Sequence, residues 1–144
     1  MKSLMMLMAF QYLNVPYKWA GNNRNGLDCS GFVLKVLHDV GYTLPDMTAQ
    51  GIYNHCLKLD GESSLDCDSL LFFGKNTNNI THVAISLGEV DNTPMMIEAG
   101  GSGRDSLKMS KDELLEIDAT VRIKPISNRS DLVAGFKIPY KERL

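Results

Sequence analysis

Gly26-Leu27-Asp28-Cys29-Ser30-Gly31-Phe32-Val33 is a turn that runs into a helix, with a thiol at the junction. Beyond Cys29, Phe32, Val33, Val36 and Leu37 follow the three-and-four spacing of a helix with one buried face. Asp28 is the natural N-cap, and Val40-Gly41 ends the helix. A thiol in the first turn meets unpaired backbone N–H groups and the positive end of the helix dipole, both of which favour the thiolate. Cys29 is therefore read as a candidate nucleophile.

Such a nucleophile needs a base that takes its proton and later returns it. The chain has three histidines, His38, His55 and His82. His38 lies well down the cysteine helix and His55 late in another helix. His82 opens the segment Thr81–Leu87, in which Val83, Ile85 and Leu87 alternate with His82, Ala84 and Ser86, the pattern of a strand. The small side chains on its face are expected to leave room for a helix N-terminus. A third group should accept a hydrogen bond from the imidazole. Glu98, set in the apolar run Met95-Met96-Ile97-Glu98-Ala99, is that candidate, because a buried carboxylate needs a donor.

The remaining pattern places helices first and strands second. Helices are predicted over about Ser3–Leu13, read as a buried first helix, and Thr48–Leu57, whose Thr48, Ala49 and Gln50 would bring polar groups towards the site. Val15–Leu27 reads as a loop. Strands follow at Leu70–Phe73, Thr81–Leu87, Met95–Ala99, Val121–Ile126 and Leu132–Ile138, with a turn at Asp91-Asn92-Thr93-Pro94. Ser110-Lys111-Asp112-Glu113 has capping-box spacing for a short helix. This order predicts an α+β domain, with residues 1–144 forming one unit and the helices packed on a central antiparallel sheet.

Composition narrows the classes of function. The net charge is -2 and no basic stripe is visible, so neither nucleic-acid binding nor a polybasic membrane anchor is expected. Three cysteines, Cys29, Cys56 and Cys67, make no CxxC pair, and no HExxH cluster occurs; no metal or other cofactor is expected. Cys56 and Cys67 read as inert small hydrophobes. Gly100-Gly101-Ser102-Gly103-Arg104 lacks the Walker lysine and reads as a flexible lip on a groove, with Arg104 a contact for a carboxylate. The apolar N-terminus is short and weakly charged for a signal peptide and too short to span a membrane. Synthesis in the cytoplasm is the expectation, with export by another route, such as a lytic system or an injection machine.

Three blocks, Pro16-Tyr17-Lys18-Trp19-Ala20-Gly21, Asp28-Cys29-Ser30-Gly31-Phe32 and Thr81-His82-Val83-Ala84-Ile85, resemble in order the signature segments of the NlpC/P60 family of papain-like cysteine peptidases. The resemblance implies a papain-like fold, Cys29 as nucleophile and His82 as base. Tyr17 would sit beside the nucleophile and supply a hydrogen bond to the oxyanion, whereas the plain alternative on the residues alone is that Tyr17 and Trp19 cover a core edge. Asp28 and Ser30 would help to recognise the acyl-side residue. The implied reaction is hydrolysis of bacterial cell-wall stem peptides, often between D-glutamate and a diamino acid, through a thioester. The same acyl-enzyme serves a related amidase or acyltransferase, and without a working Cys29–His82 pair the groove would be a peptide-binding module. A targeting partner or larger assembly is expected, because no wall-binding module is recognisable. Three departures stand out: Glu98 where the family commonly has histidine, asparagine or glutamine, Asp68-Ser69 where it has Gly-Asp, and Asn22 in place of the second glycine.

Overall fold

The structure, a computed structural model, describes residues 3–18, 21–23, 26–59, 61–101 and 104–138. Helix α1 (Leu4–Phe10) is followed by a two-stranded ribbon of β1 (Asn22–Asn23) and β2 (Gly26–Leu27), and then by α2 (Cys29–Asp39) and α3 (Ala49–Lys58). The rest is mostly strand: β3 (Glu62–Ser63), β4 (Leu70–Gly74), β5 (Ile80–Val90), β6 (Thr93–Ala99), β7 (Val121–Pro125) and β8 (Leu132–Lys137). Between β6 and β7 lie a 3-10 turn (Arg104–Lys108) and α4 (Lys111–Glu116). Strands β3 to β8 form one sheet in the order β3-β8-β4-β5-β6-β7, every pair antiparallel. The fold is α+β, as expected.

Local chemistry explains where the helices start. Asp28 Oδ1 accepts from Gly31 N at 2.7 Å, Thr48 Oγ1 from Gly51 N at 3.1 Å, and Ser110 and Glu113 form a reciprocal capping box. Phe32, Val33, Val36 and Leu37 of α2 are fully buried in the main core with Val83 and Ile85 of β5. A smaller apolar cluster, Leu71, Phe73, Ala84 and Met96, fills the opposite face of the sheet. Strand β5 is thus covered on both faces. Its hairpin to β6 turns on Asp91 and Asn92, both at positive φ, the conformation a two-residue type I′ turn requires. Thr93 and Pro94, expected in that turn, instead open β6.

Several expectations need correction. Helix α1 stops at Phe10, not Leu13, because the chain turns through Gln11–Asn14 and Asn14 takes φ 70°. It is not a buried helix: only Ala9 within it is buried, while Leu4 and Leu7 are each 44% exposed. The loop expected over Val15–Leu27 contains the β1–β2 ribbon and bridges from Pro16 to Thr120 and Tyr17 to Leu27. Strand β3 has no counterpart among the predicted elements; two residues paired with β8 are too short to carry a period.

Candidate active site

The start of α2, the start of β5 and the end of β6 meet at a cleft of about 490 Å³ lined by Cys29, His82, Glu98 and Tyr17, among others. Register explains the meeting. Glu98 lies opposite Arg122 on β7, and His82 lies opposite Phe73 on β4. His82 and Glu98 belong to the strand positions that face the smaller apolar cluster. His82 Nε2 and Glu98 Oε1 are 2.7 Å apart, both side chains buried. Cys29 lines the same cleft as the imidazole and interacts with it electrostatically, and because Nε2 faces the carboxylate, Nδ1 is the nitrogen left for the thiol. Cys29 Sγ lies 3.9 Å from the Thr81 carbonyl oxygen, which fixes the side of the cleft it occupies.

The helix does not reach His82 by the expected route. Ala84 is packed in the smaller cluster and Ser86 Oγ donates to the Leu65 carbonyl at 2.8 Å, so the face next to His82 is already filled. Helix α2 packs on the other face of β5, and its first residue lies beside the start of the strand. The imidazole is supported from the side as well, since the Phe73 ring lies 5.5 Å from it.

The electrostatics follow from burial and partners. Burial alone would push His82 down, but hydrogen bonds to Cys29 and Glu98, together with their charges, raise it from 6.5 to about 9. Burial would likewise raise Glu98, but the His82 hydrogen bond and charge, joined by Arg122, hold it below its ordinary value. Tyr17 is pushed up to about 12 by burial and by the charges of Cys29 and Asp28, so its hydroxyl remains a donor.

Asp28 and Ser30 are placed differently from Tyr17. Asp28 Oδ1 accepts from both Gly31 N and Ser30 Oγ, at 2.7 and 3.2 Å, which makes the pair a helix-start brace. Gly100 and Gly101 line the cleft. The Arg104 side chain, Trp19, Ala20 and the Ser102-Gly103 part of the expected lip lie outside the described residues. Gln50 accepts from Ile80 N at 2.8 Å and donates to the Thr77 carbonyl at 2.9 Å, tying α3 to the turn that launches β5. Cys56 is buried, and burial pushes its thiol up to about 12. Burial, then Asp68, raises Cys67. Among the described residues no group of His, Cys, Asp or Glu could hold a metal ion, and no helix is long and apolar enough to cross a membrane.

Arg122 is the residue that the sequence reading missed. Its Nε and Nη2 both lie 2.9 Å from Glu98 Oε2, and Nη1 donates to the Asp118 carbonyl at 3.1 Å. A buried glutamate in an apolar strand signals that a cation is needed, but only the β6–β7 register says which one. Arg129 also borders the cleft, paired with Asp131 and resting 5.2 Å from the centre of the Phe73 ring.

Comparison with known proteins adds a family pattern. The sequence model of the NlpC/P60 family matches residues 14–118. Protein P54 of Enterococcus faecium is 36% identical over 86 residues, covering 56% of this chain and 15% of that protein. The gamma-D-glutamyl-L-lysine dipeptidyl-peptidase of Bacillus subtilis is 34% identical over 80 residues, covering 54% of this chain and 26% of that protein. The chain thus matches only a minor part of either relative's length. The crystal structure of a Staphylococcus aureus protein described as similar to lipoprotein, NLP/P60 family, superposes with a TM-score of 0.66 at 22% identity. That superposition covers 95% of this chain and 41% of the other, and it shows the shared fold.

Proposed function

The chain belongs to the NlpC/P60 family, and on that premise we propose that it is a cysteine peptidase that hydrolyses stem peptides of bacterial peptidoglycan, at the bond between D-glutamate and a diamino acid. The observation that carries this reading is the convergence of Cys29, His82 and Glu98 on one cleft, with the imidazole held by a carboxylate at 2.7 Å and its other nitrogen left for the thiol. The name of the Bacillus subtilis relative supports the choice of bond.

The chemistry follows from the placement. Cys29 attacks the peptide carbonyl carbon as a thiolate while His82 holds the proton. Charge builds on the carbonyl oxygen, where the Cys29 backbone N–H and the Tyr17 hydroxyl are the candidate donors. A tyrosine held protonated up to about 12 suits that task. His82 then gives its proton to the departing amine, leaving a thioester on Cys29. Water, deprotonated by the now neutral imidazole, releases the acid and regenerates the thiol. Glu98 orients the ring throughout and stabilises its charged form.

Incubation of the protein with purified muropeptides, followed by mass spectrometry, tests the proposal. New fragments cut after D-glutamate are expected, and none from a folded Cys29→Ala variant. Cleavage by that variant, or intact stems alongside released glycan, would reject it.

A further inference from the structure

We propose that Arg122 is a positioning residue that cancels the charge of Glu98, so that His82 is oriented by an acceptor of net zero charge; this rests on the reading of Cys29 and His82 as the reacting pair. Arg122 faces Glu98 directly across the β6–β7 ladder and sends two N–H groups to Oε2, while Oε1 is left for the imidazole. The third nitrogen, Nη1, is engaged by the Asp118 carbonyl and lies 3.8 Å from the half-exposed Asp118 carboxylate, which Lys124 also pairs, so the guanidinium is held within the protein and its two short contacts go to Glu98.

The backbone beside the pair is shaped to admit it. A Cβ added at Gly100 would stand 3.0 Å from Glu98 Oε2, and one at Gly101 would stand 2.9 Å from Arg122 Nη1. Gly101 also holds φ 96°, a conformation that glycine adopts without strain. Two adjacent positions without side chains therefore give the carboxylate and the guanidinium the space they occupy.

The chemistry explains why cancellation is useful. A bare buried carboxylate against the imidazolium would hold its proton tightly, whereas the base must surrender that proton to a leaving amine. Pairing Glu98 with Arg122 keeps the short orienting bond and weakens the field behind it. The other charged groups around His82 are accounted for. Cys29 faces it from α2 and Tyr17 from the segment before the ribbon; Arg129 is paired with Asp131, and Lys124 with Asp118 at 2.7 Å. His82 is nonetheless raised, because the bonds and charges of Cys29 and Glu98 outweigh burial.

The test is an NMR titration of the His82 ring in the Cys29→Ala background, where the thiol no longer titrates with it. Arg122→Gln leaves the carboxylate uncancelled and should raise the His82 midpoint by roughly one unit. Glu98→Gln leaves the cation uncancelled and should lower it by roughly as much. The double variant restores a neutral acceptor and should return to within about half a unit of the parent. A midpoint unmoved or lowered by Arg122→Gln, or a double variant that tracks Glu98→Gln, would overturn the proposal. Should Arg122→Gln fold poorly, the double variant, which buries no unpaired charge, still decides between those outcomes. Arg122→Lys keeps the charge and should keep the midpoint, a rescue that a merely structural role would not give. None of these readings needs a substrate, so failure to cleave muropeptides would sink the peptidase assignment while leaving the titration to judge Arg122.

Discussion

Raising the pH from 6.5 to 9 should cost the protein stability chiefly through His82. Its folded value of about 9 lies above the ordinary 6.5, so the folded state binds a proton over that interval that the unfolded chain has released. The contribution is fully present below 6.5 and is lost as the pH climbs through about 9. At about 1.4 kcal/mol per pH unit, the gap is worth about 3 kcal/mol. At the top of the window Cys56, raised from 9.0 to about 12, and Cys67, raised from the same value, begin to add smaller losses, and Tyr17, raised from 10.0 to about 12, follows above it. Urea denaturation is the assay. With an m-value of roughly 2 kcal/mol/M, the midpoint should fall by about 1.5 M between pH 6 and pH 9. The Glu98→Gln variant should show a shallower fall, because the charge that favours the imidazolium is gone. A midpoint that stays level across this interval would refute the reasoning, for it would mean that Glu98 holds a neutral imidazole.

Two further substitutions test how the scaffold holds the site. Gln50→Ala removes the acceptor from Ile80 N and the donor to the Thr77 carbonyl, and should cost about 2 kcal/mol for an orphaned buried amide. Thermal unfolding should register this as a fall of roughly 5–8 °C, and a change under about 1 °C would discount the clamp. Gly31→Ala drives a Cβ into the Gly21 carbonyl oxygen, which already accepts the Asp28 N–H at 3.0 Å. The gain in helix propensity of about 1 kcal/mol should be outweighed by overpacking of about 1–3 kcal/mol, with peptide cleavage falling at least about tenfold as the Tyr17 segment is pushed from the nucleophile. Full cleavage by a stable Gly31→Ala protein would show that the segment tolerates displacement.

Much of the site was legible because its signals are local. Asp28, Thr48 and Ser110 cap within three residues of themselves, so α2, α3 and α4 begin where the sequence places them. The alternation around His82 and the lone carboxylate at Glu98 each mark a strand position, and two neighbouring strands bring them within 2.7 Å. Arg122 escaped because its pairing depends on how the chain returns after Ala99 through a 3-10 turn and α4, a path that no short-range period encodes. The first helix was overextended for a related reason. Its apolar run continues to Leu13, and only tertiary pairing, Asn14 N to the Val121 carbonyl and Val121 N to the Val15 carbonyl, draws the chain away.

The interior of the sheet argues for chemistry in its own right. Around His82, Glu98 and Arg122 stand Phe73, Ala84 and Met96, an environment in which apolar side chains pack without penalty. A buried ionic network there gives little net stability, since desolvation offsets most of the attraction and hydrophobic replacements commonly do as well. Its value must lie in what the charges do together, which is to hold an imidazole in one orientation and protonated near neutral pH. The three thiols sharpen the point. Cys56 lies in the main core and Cys67 has a methionine sulfur 3.0 Å away, whereas Cys29 combines a helix start with a place in the same open cleft as that imidazole. A network that costs desolvation and borders one thiol out of three is what the proposed reaction at Cys29 requires.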